Sequence, residues 1–104
     1  MKTKTIHFAK EFTDCPGGRS RIDGDFSGEE FRKDFLEPAL ADYDRVILDL
    51  NGVFSFPPSF IDEAFGALVD DRGLDYVRER LILQLEDSSV ALEAINEAML
   101  GHAA

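Results

Sequence analysis

The chain has 104 residues, 21 of them Asp or Glu and 11 Lys or Arg, which gives a formal charge of −10 and the length of one domain with one core. That charge repels phosphate backbones and anionic lipid, so nucleic-acid and membrane-surface roles are disfavoured. No apolar run nears the roughly 20 residues of a membrane span, the opening Met1 to Phe12 has no signal-like apolar core, and Cys15 stands alone; a cytoplasmic protein is expected.

Lys4 to Ala9 alternates, with Ile6 and Phe8 opposite Thr5 and His7, which predicts a first strand within residues 1–10, dry on one face and near a sheet edge. Residues 11–26 hold Pro16, Gly17, Gly18 and Gly24 and read as loop, with a short second strand over Arg19 to Ile22 turning back on the first. Ser27-Gly28-Glu29-Glu30 has capping-box spacing, the hydroxyl taking a first-turn amide and Glu30 reaching back. Phe31, Phe35 and Ala39 then recur at intervals of four beside Leu36 and Leu40, a helical stripe that Pro38 should kink or end.

Val46 to Leu50 is almost continuously apolar, the habit of a central strand covered on both faces. Asn51-Gly52 breaks it, and Phe54-Ser55-Phe56-Pro57-Pro58 leads to Ser59 and a second helix. There Phe60, Ala64 and Leu68 share a face with Ile61, Phe65 and Val69. Gly73 suits the end of that helix. Leu74 to Arg80 reads equally as a helical turn or a loop, and Leu81 to Leu85 as the next inner strand. Ser88 or Ser89 caps a final helix that buries Leu92, Ile95 and Met99, with residues 101–104 fraying. Alternating strands and helices predict a single α/β domain over residues 1–104, with a mixed or mostly parallel central sheet and about three helices.

Signatures of catalysis are missing from the sequence. His7 and His102 lie at opposite ends and Cys15 has no partner, so neither a metal set nor a Ser-His-Asp set can be assembled, and no enzyme or cofactor is expected. Gly17-Gly18-Arg19 ahead of a helix start is a weak anion cradle, opposed by Asp23, Asp25, Glu29 and Glu30. Asp62 and Glu63 sit in a first helical turn, where acids complement the helix dipole. Ser59 is a helix cap, or lies just inside the helix if Pro58 takes the first position. It is also a candidate phosphoacceptor, with Asp62 and Glu63 repelling the added charge. The stretch Phe54 to Glu63 is a candidate partner surface, because Phe54, Phe56 and Phe60 are costly to leave wet.

Asp49-Leu50-Asn51-Gly52-Val53, closing a central strand, and Ser59 opening a helix with Gly66-Ala67-Leu68-Val69 resemble a STAS domain, the module of anti-sigma factor antagonists and of the cytoplasmic ends of sulphate transporters. More closely, Ser27-Gly28-Glu29-Glu30-Phe31 and Ser59-Phe60-Ile61-Asp62-Glu63-Ala64-Phe65-Gly66 are similar to segments of the bacterial STAS-like family of unknown function. The likeness runs from about Gly18 to Val69 and is one of pattern beyond. It implies a STAS-like fold and a regulatory protein-binding module. Its partner would be a histidine-kinase-like ATPase acting as a serine kinase, with Ser59 as phosphoacceptor and Phe54, Phe56, Phe60, Asp62 and Glu63 as docking residues. Pro57-Pro58-Ser59-Phe60 departs from the antagonists' Asp-Ser-Ser-Gly, so docking carries over better than phosphorylation. The alternatives are a nucleotide or anion sensor at Gly17 to Arg19, and a homo-oligomer using the same loop. A monomer or weak homodimer is expected, with no nucleic-acid or membrane partner.

Overall fold

Three parallel strands organise the computed structural model, which describes residues 1–86 and 89–104. Strand β1 (Thr3–His7) pairs with β2 (Arg45–Asp49), which pairs with β3 (Leu81–Gln84), in the order β1-β2-β3. The run of Val46 to Leu50 does form the central strand. The register sets Leu48 between Ile6 and Leu83, and Val46 between Lys4 and Leu81. Ile6, Val46, Leu48 and Leu81 are buried in one core with the helices.

The alternate residues give the correction. Thr3, Thr5, His7, Arg45, Ile82 and Gln84 are exposed, and Ile47 and Asp49 only half-buried. β2 is therefore covered on one face rather than both, and its apolar run did not report a second cover.

β1 stops at His7, short of Ala9, because Phe8–Glu11 coils into a one-turn helix, α1. The Glu11 carboxylate accepts the His7 amide at 2.6 Å, ending the strand locally. The predicted strand over Arg19 to Ile22 is absent as well. Arg21–Asp23 is a 3₁₀ turn, in which Asp23 accepts the Ser20 amide.

Helix α2 covers residues 28–42, and α3 covers residues 58–72. Each has a π-helical turn at its middle, Arg32–Leu36 in α2 and Asp62–Gly66 in α3. There Glu37 N–H donates to the Arg32 carbonyl and Ala67 N–H to that of Asp62, five residues back. Pro38 does not end α2, which continues to Asp42. The ring stands just after the wide turn Arg32–Leu36, the kind of helix irregularity at which a missing amide is accommodated.

Two further helices follow. Leu74–Arg80 resolves as a helix, α4, and Ser89–Ala103 is the final helix, α5. Ser88 as a cap lies outside the described residues. Residues 101–103 do not fray: α5 runs to Ala103, and His102 is anchored to α3.

The core is rich in rings. Phe8, Phe12, Phe31, Phe35, Phe56 and Phe60 form one network with centroids 4.7 to 6.4 Å apart, mostly edge-on or tilted. Helices α2 and α3 meet at Gly28, where an added Cβ would lie 2.7 Å from the Phe60 carbonyl oxygen. Beside that contact the buried Arg32 donates through Nε to the Glu63 carbonyl (3.1 Å) and through Nη2 to its carboxylate (2.6 Å). Its Nη1 reaches Glu37 at 3.0 Å. One guanidinium thus joins the π turns of both helices, with enough acceptors to compensate its burial.

Candidate functional site

The loop after β2 is held by hydrogen bonds of the Asp49 and Asn51 side chains and of its own backbone amides. The Asp49 carboxylate accepts the Asn51 amide at 2.9 Å and its Nδ2 at 2.8 Å, a local turn that stops the strand. Asn51 Oδ1 in turn accepts the Glu86 amide at 2.9 Å, tying this loop to the one after β3. The Asn51 amide, with His7 Nδ1 at 3.0 Å, holds the Asp49 carboxyl below the usual carboxylate range. Gly52 supplies the left-handed residue (φ 86°) the reversal needs. The Phe54 amide then donates to the Asp14 carbonyl at 2.8 Å.

That last bond fixes the Phe54 backbone and leaves its side chain in water, 88% exposed. Beneath it lies a cleft of about 390 Å³ lined by Leu50, Val53, Phe56, Ile61, Leu85 and Ala94. It opens beyond the carboxyl ends of β2 and β3, the usual place for sites on parallel sheets. Through Phe56, Ile61 and Ala94 it continues into a wider groove lined by Pro58, Ser59, Arg19, Asp62, Glu97 and Ala98.

Ser59 is not a cap. Pro57 occupies the cap position, Pro58 the first helical position and Ser59 the next, and the helix start has no side-chain cap bond. Proline has no amide to satisfy there, so no serine is required. Ser59, half-buried, lines the groove instead.

The two acids that would oppose a phosphate are already engaged. Asp62 pairs with Arg19 and with His102 Nε2 (2.5 Å), and Glu63 pairs with Arg32. His102 Nδ1 also meets Asp70 at 2.9 Å, so both ring nitrogens face carboxylates, an arrangement that suits the doubly protonated imidazolium. Bonds to Asp62 and then Asp70 raise the His102 pKa, while Arg19 and then His102 lower that of Asp62. The ring sits over Gly66, where any Cβ would strike it.

Phe60 cannot be a docking residue, since it is wholly buried against Phe8, Phe31 and Phe56. Phe56 is half-buried, and Asp62 and Glu63 are occupied by intramolecular pairs. The weak anion loop fails for a similar reason. Gly28 and Glu29, the first amides of α2, donate to the Gly18 and Arg19 carbonyls, and the Gly17 amide to that of Phe26. Carbonyls fill the place an anion would take, and Arg19 is committed to Asp62.

Sequence reasoning missed the α5 wall of the cleft and the roles of Arg32 and His102. Ala91, Ala94 and Ala98, recurring at intervals of three and four, were the available signal for a wall that leaves space. Among the described residues, no group of three or more His, Cys, Asp or Glu is gathered to hold a metal ion. No described helix is long and apolar enough to cross a membrane.

A family model described as a STAS-like domain of unknown function matches residues 27–91, from the cap of α2 into the first turn of α5. That is well over half of the chain, and the chain belongs to this family. No curated protein and no solved structure matches it.

Proposed function

We propose that this STAS-like domain is a non-catalytic regulatory module that binds a protein partner through the loop and helix start at residues 54–59 and the cleft beneath them. The observation that carries the reading is Phe54, held outward by its own backbone above an apolar cleft. A large ring kept in water at the rim of a cavity gains free energy when a partner covers it, as anchor residues of interfaces do. The partner class is the one the family likeness suggests, a histidine-kinase-like ATPase, which implies a cytoplasmic setting. With Asp62 and Glu63 paired, the repulsion that weighed against phosphorylating Ser59 is reduced.

Affinity capture with wild type, Phe54→Asp and Ser59→Asp as parallel baits tests this. An ATPase held by wild type and released by Phe54→Asp is the expected result, with Ser59→Asp weakening capture if the serine is a switch. Equal capture by wild type and Phe54→Asp sinks the docking surface.

A second reading follows from the same cleft. Its volume and apolar lining are in the range of small-ligand sites, so a sensor would hold an apolar or aromatic molecule there and not an anion at Gly17 to Arg19. A ligand at 100 times its dissociation constant adds about 2.7 kcal/mol of stability, which a thermal-shift screen detects. The shift should disappear in an Ala94→Phe variant that fills the cleft.

A further inference from the structure

Parallel sheets are almost always covered on both faces, because the helices of their crossover connections pack there. Among the described residues this sheet has three strands, all parallel, and one bare face, whose side chains are exposed or half-buried. The register sorts that face into three bands. Arg45 lies beside Thr3 at one end, Ile47 lies between Thr5 and Ile82 in the middle, and Asp49 lies between His7 and Gln84 at the other end. The central strand therefore reads cation, apolar, anion along its exposed side. Among the described residues the Arg45 side chain has no ion-pair partner, and Ile82 is 41% exposed. Asp49 is kept ionised by the Asn51 amide and His7.

We propose that a second copy of this chain covers the bare face, in a transient two-fold dimer with the sheets stacked and the strands antiparallel. A two-fold axis lying between the sheets, perpendicular to the strands and level with Ile47, stacks Ile47 on Ile47 and brings Ile82 of each copy over the other. The same operation sets Arg45 of each copy opposite Asp49 of the other, twice, as an isologous interface requires. The alternative axis, along the strands, places Arg45 over Arg45 and Asp49 over Asp49, and like charges reject it. Charge thus selects the occupant and its direction.

The face is small. Three strands about 4.8 Å apart and five residues long give a footprint of roughly 14 by 16 Å, well below the area of a permanent interface. Each copy also carries a charge of −10, which opposes close approach unless salt screens it. The dimer is accordingly a high-concentration species at physiological salt. It is independent of the docking cleft, which lies beyond the ends of β2 and β3.

Sedimentation velocity of the full chain, from about 10 µM to about 1 mM, tests the inference. Wild type should pass from monomer towards dimer across that range. Ile82→Lys and Arg45→Glu should each remain monomeric throughout, with unchanged far-UV circular dichroism and melting midpoint, since both residues are exposed. Phe54→Asp should dimerise as wild type does. A wild type that stays monomeric at the top concentration overturns the proposal. So does dimerisation of both face variants, or loss of the dimer in Phe54→Asp, which would assign self-association to the loop.

Discussion

Helices α2 and α3 share one plan, with a π turn at the middle and an apolar stripe facing the sheet, yet their first turns differ in almost every respect. At α2 the buried Ser27 accepts the Glu30 amide at 3.1 Å, and Glu30 reaches back to the Phe26 amide at the same distance. Gly18 and Arg19 carbonyls take the next two amides. At α3 two prolines replace the cap, and Ser59 lines a groove without capping anything. A helix start whose polar groups are all engaged within the chain is scaffold, whereas one built from prolines leaves a hydroxyl available to a partner. The difference shows why the glycine-rich loop, the weaker of the two candidates in sequence, is closed in the structure as well.

The contrast can be broken most severely at the rings. Phe60→Ala should cost about 3–5 kcal/mol in urea unfolding, as removal of a buried Phe does. Phe54→Ala, at a position in water, should stay within about 0.5 kcal/mol. Similar losses at the two would remove the distinction between core and rim.

The helix contact comes next. Gly28→Ala should destabilise by about 1–3 kcal/mol, because its Cβ meets the Phe60 carbonyl and the Ala64 amide nitrogen, neither of which can retreat without moving α3. The same change at Gly101, where an added Cβ meets nothing, should be neutral or mildly stabilising.

The serines sharpen the comparison at smaller scale. Ser27→Ala loses a cap and should cost about 1 kcal/mol, whereas Ser59→Ala should change stability by no more than a few tenths. A full capping cost at Ser59 would return it to the role of a structural residue.

The mildest effect expected is on pH. His102 has its pKa raised above 6.5 in the folded chain, so the tie between the end of α5 and α3 is complete below pH 6.5 and is lost as pH rises through the folded value. Asp62 is shifted below 3.8, so its share is present above pH 3.8 and fades as acid carries the pH through its lower folded value. Amide exchange in the last turn of α5 should therefore be slowest between those limits and quicken towards pH 8. His102→Gln should abolish the alkaline change. An exchange profile independent of pH, once corrected for intrinsic chemistry, would show that the ring is not a tie.

The order of elements, the central position of β2 and the cap at Ser27 were all legible, because each depends on neighbours close in the chain. The bare face was not. Val46 to Leu50 is almost continuously apolar, and sequence alone cannot tell the buried Val46 and Leu48 from Ile47, which is only half-buried on the opposite face. Phe54, Phe56 and Phe60 are the same residue type within seven positions, yet their burial runs from exposed to complete, set by where the Asp14 carbonyl holds the loop. His102 was read as part of a fraying end because its partners, Asp62 and Asp70, lie far back in the chain. The loop of residues 17–19, a weak candidate in sequence, is closed by something the sequence does not display: its carbonyls, rather than its amides, face the helix start.

The π turns did leave a trace. Phe31, Phe35 and Ala39, like Phe60, Ala64 and Leu68, recur at strict fours, and a regular α-helix would carry such a row about 40° around its axis at each step. One wide turn takes up an extra residue and returns the row to the sheet. Each long helix is thus two halves joined by a phase slip. Shortening either wide turn by one residue would leave an unbroken helix whose second half faces the wrong way, and a residue inserted elsewhere in the helix would do the same. Length in these segments is therefore as constrained as composition, and variation in chain length should be confined to the loops.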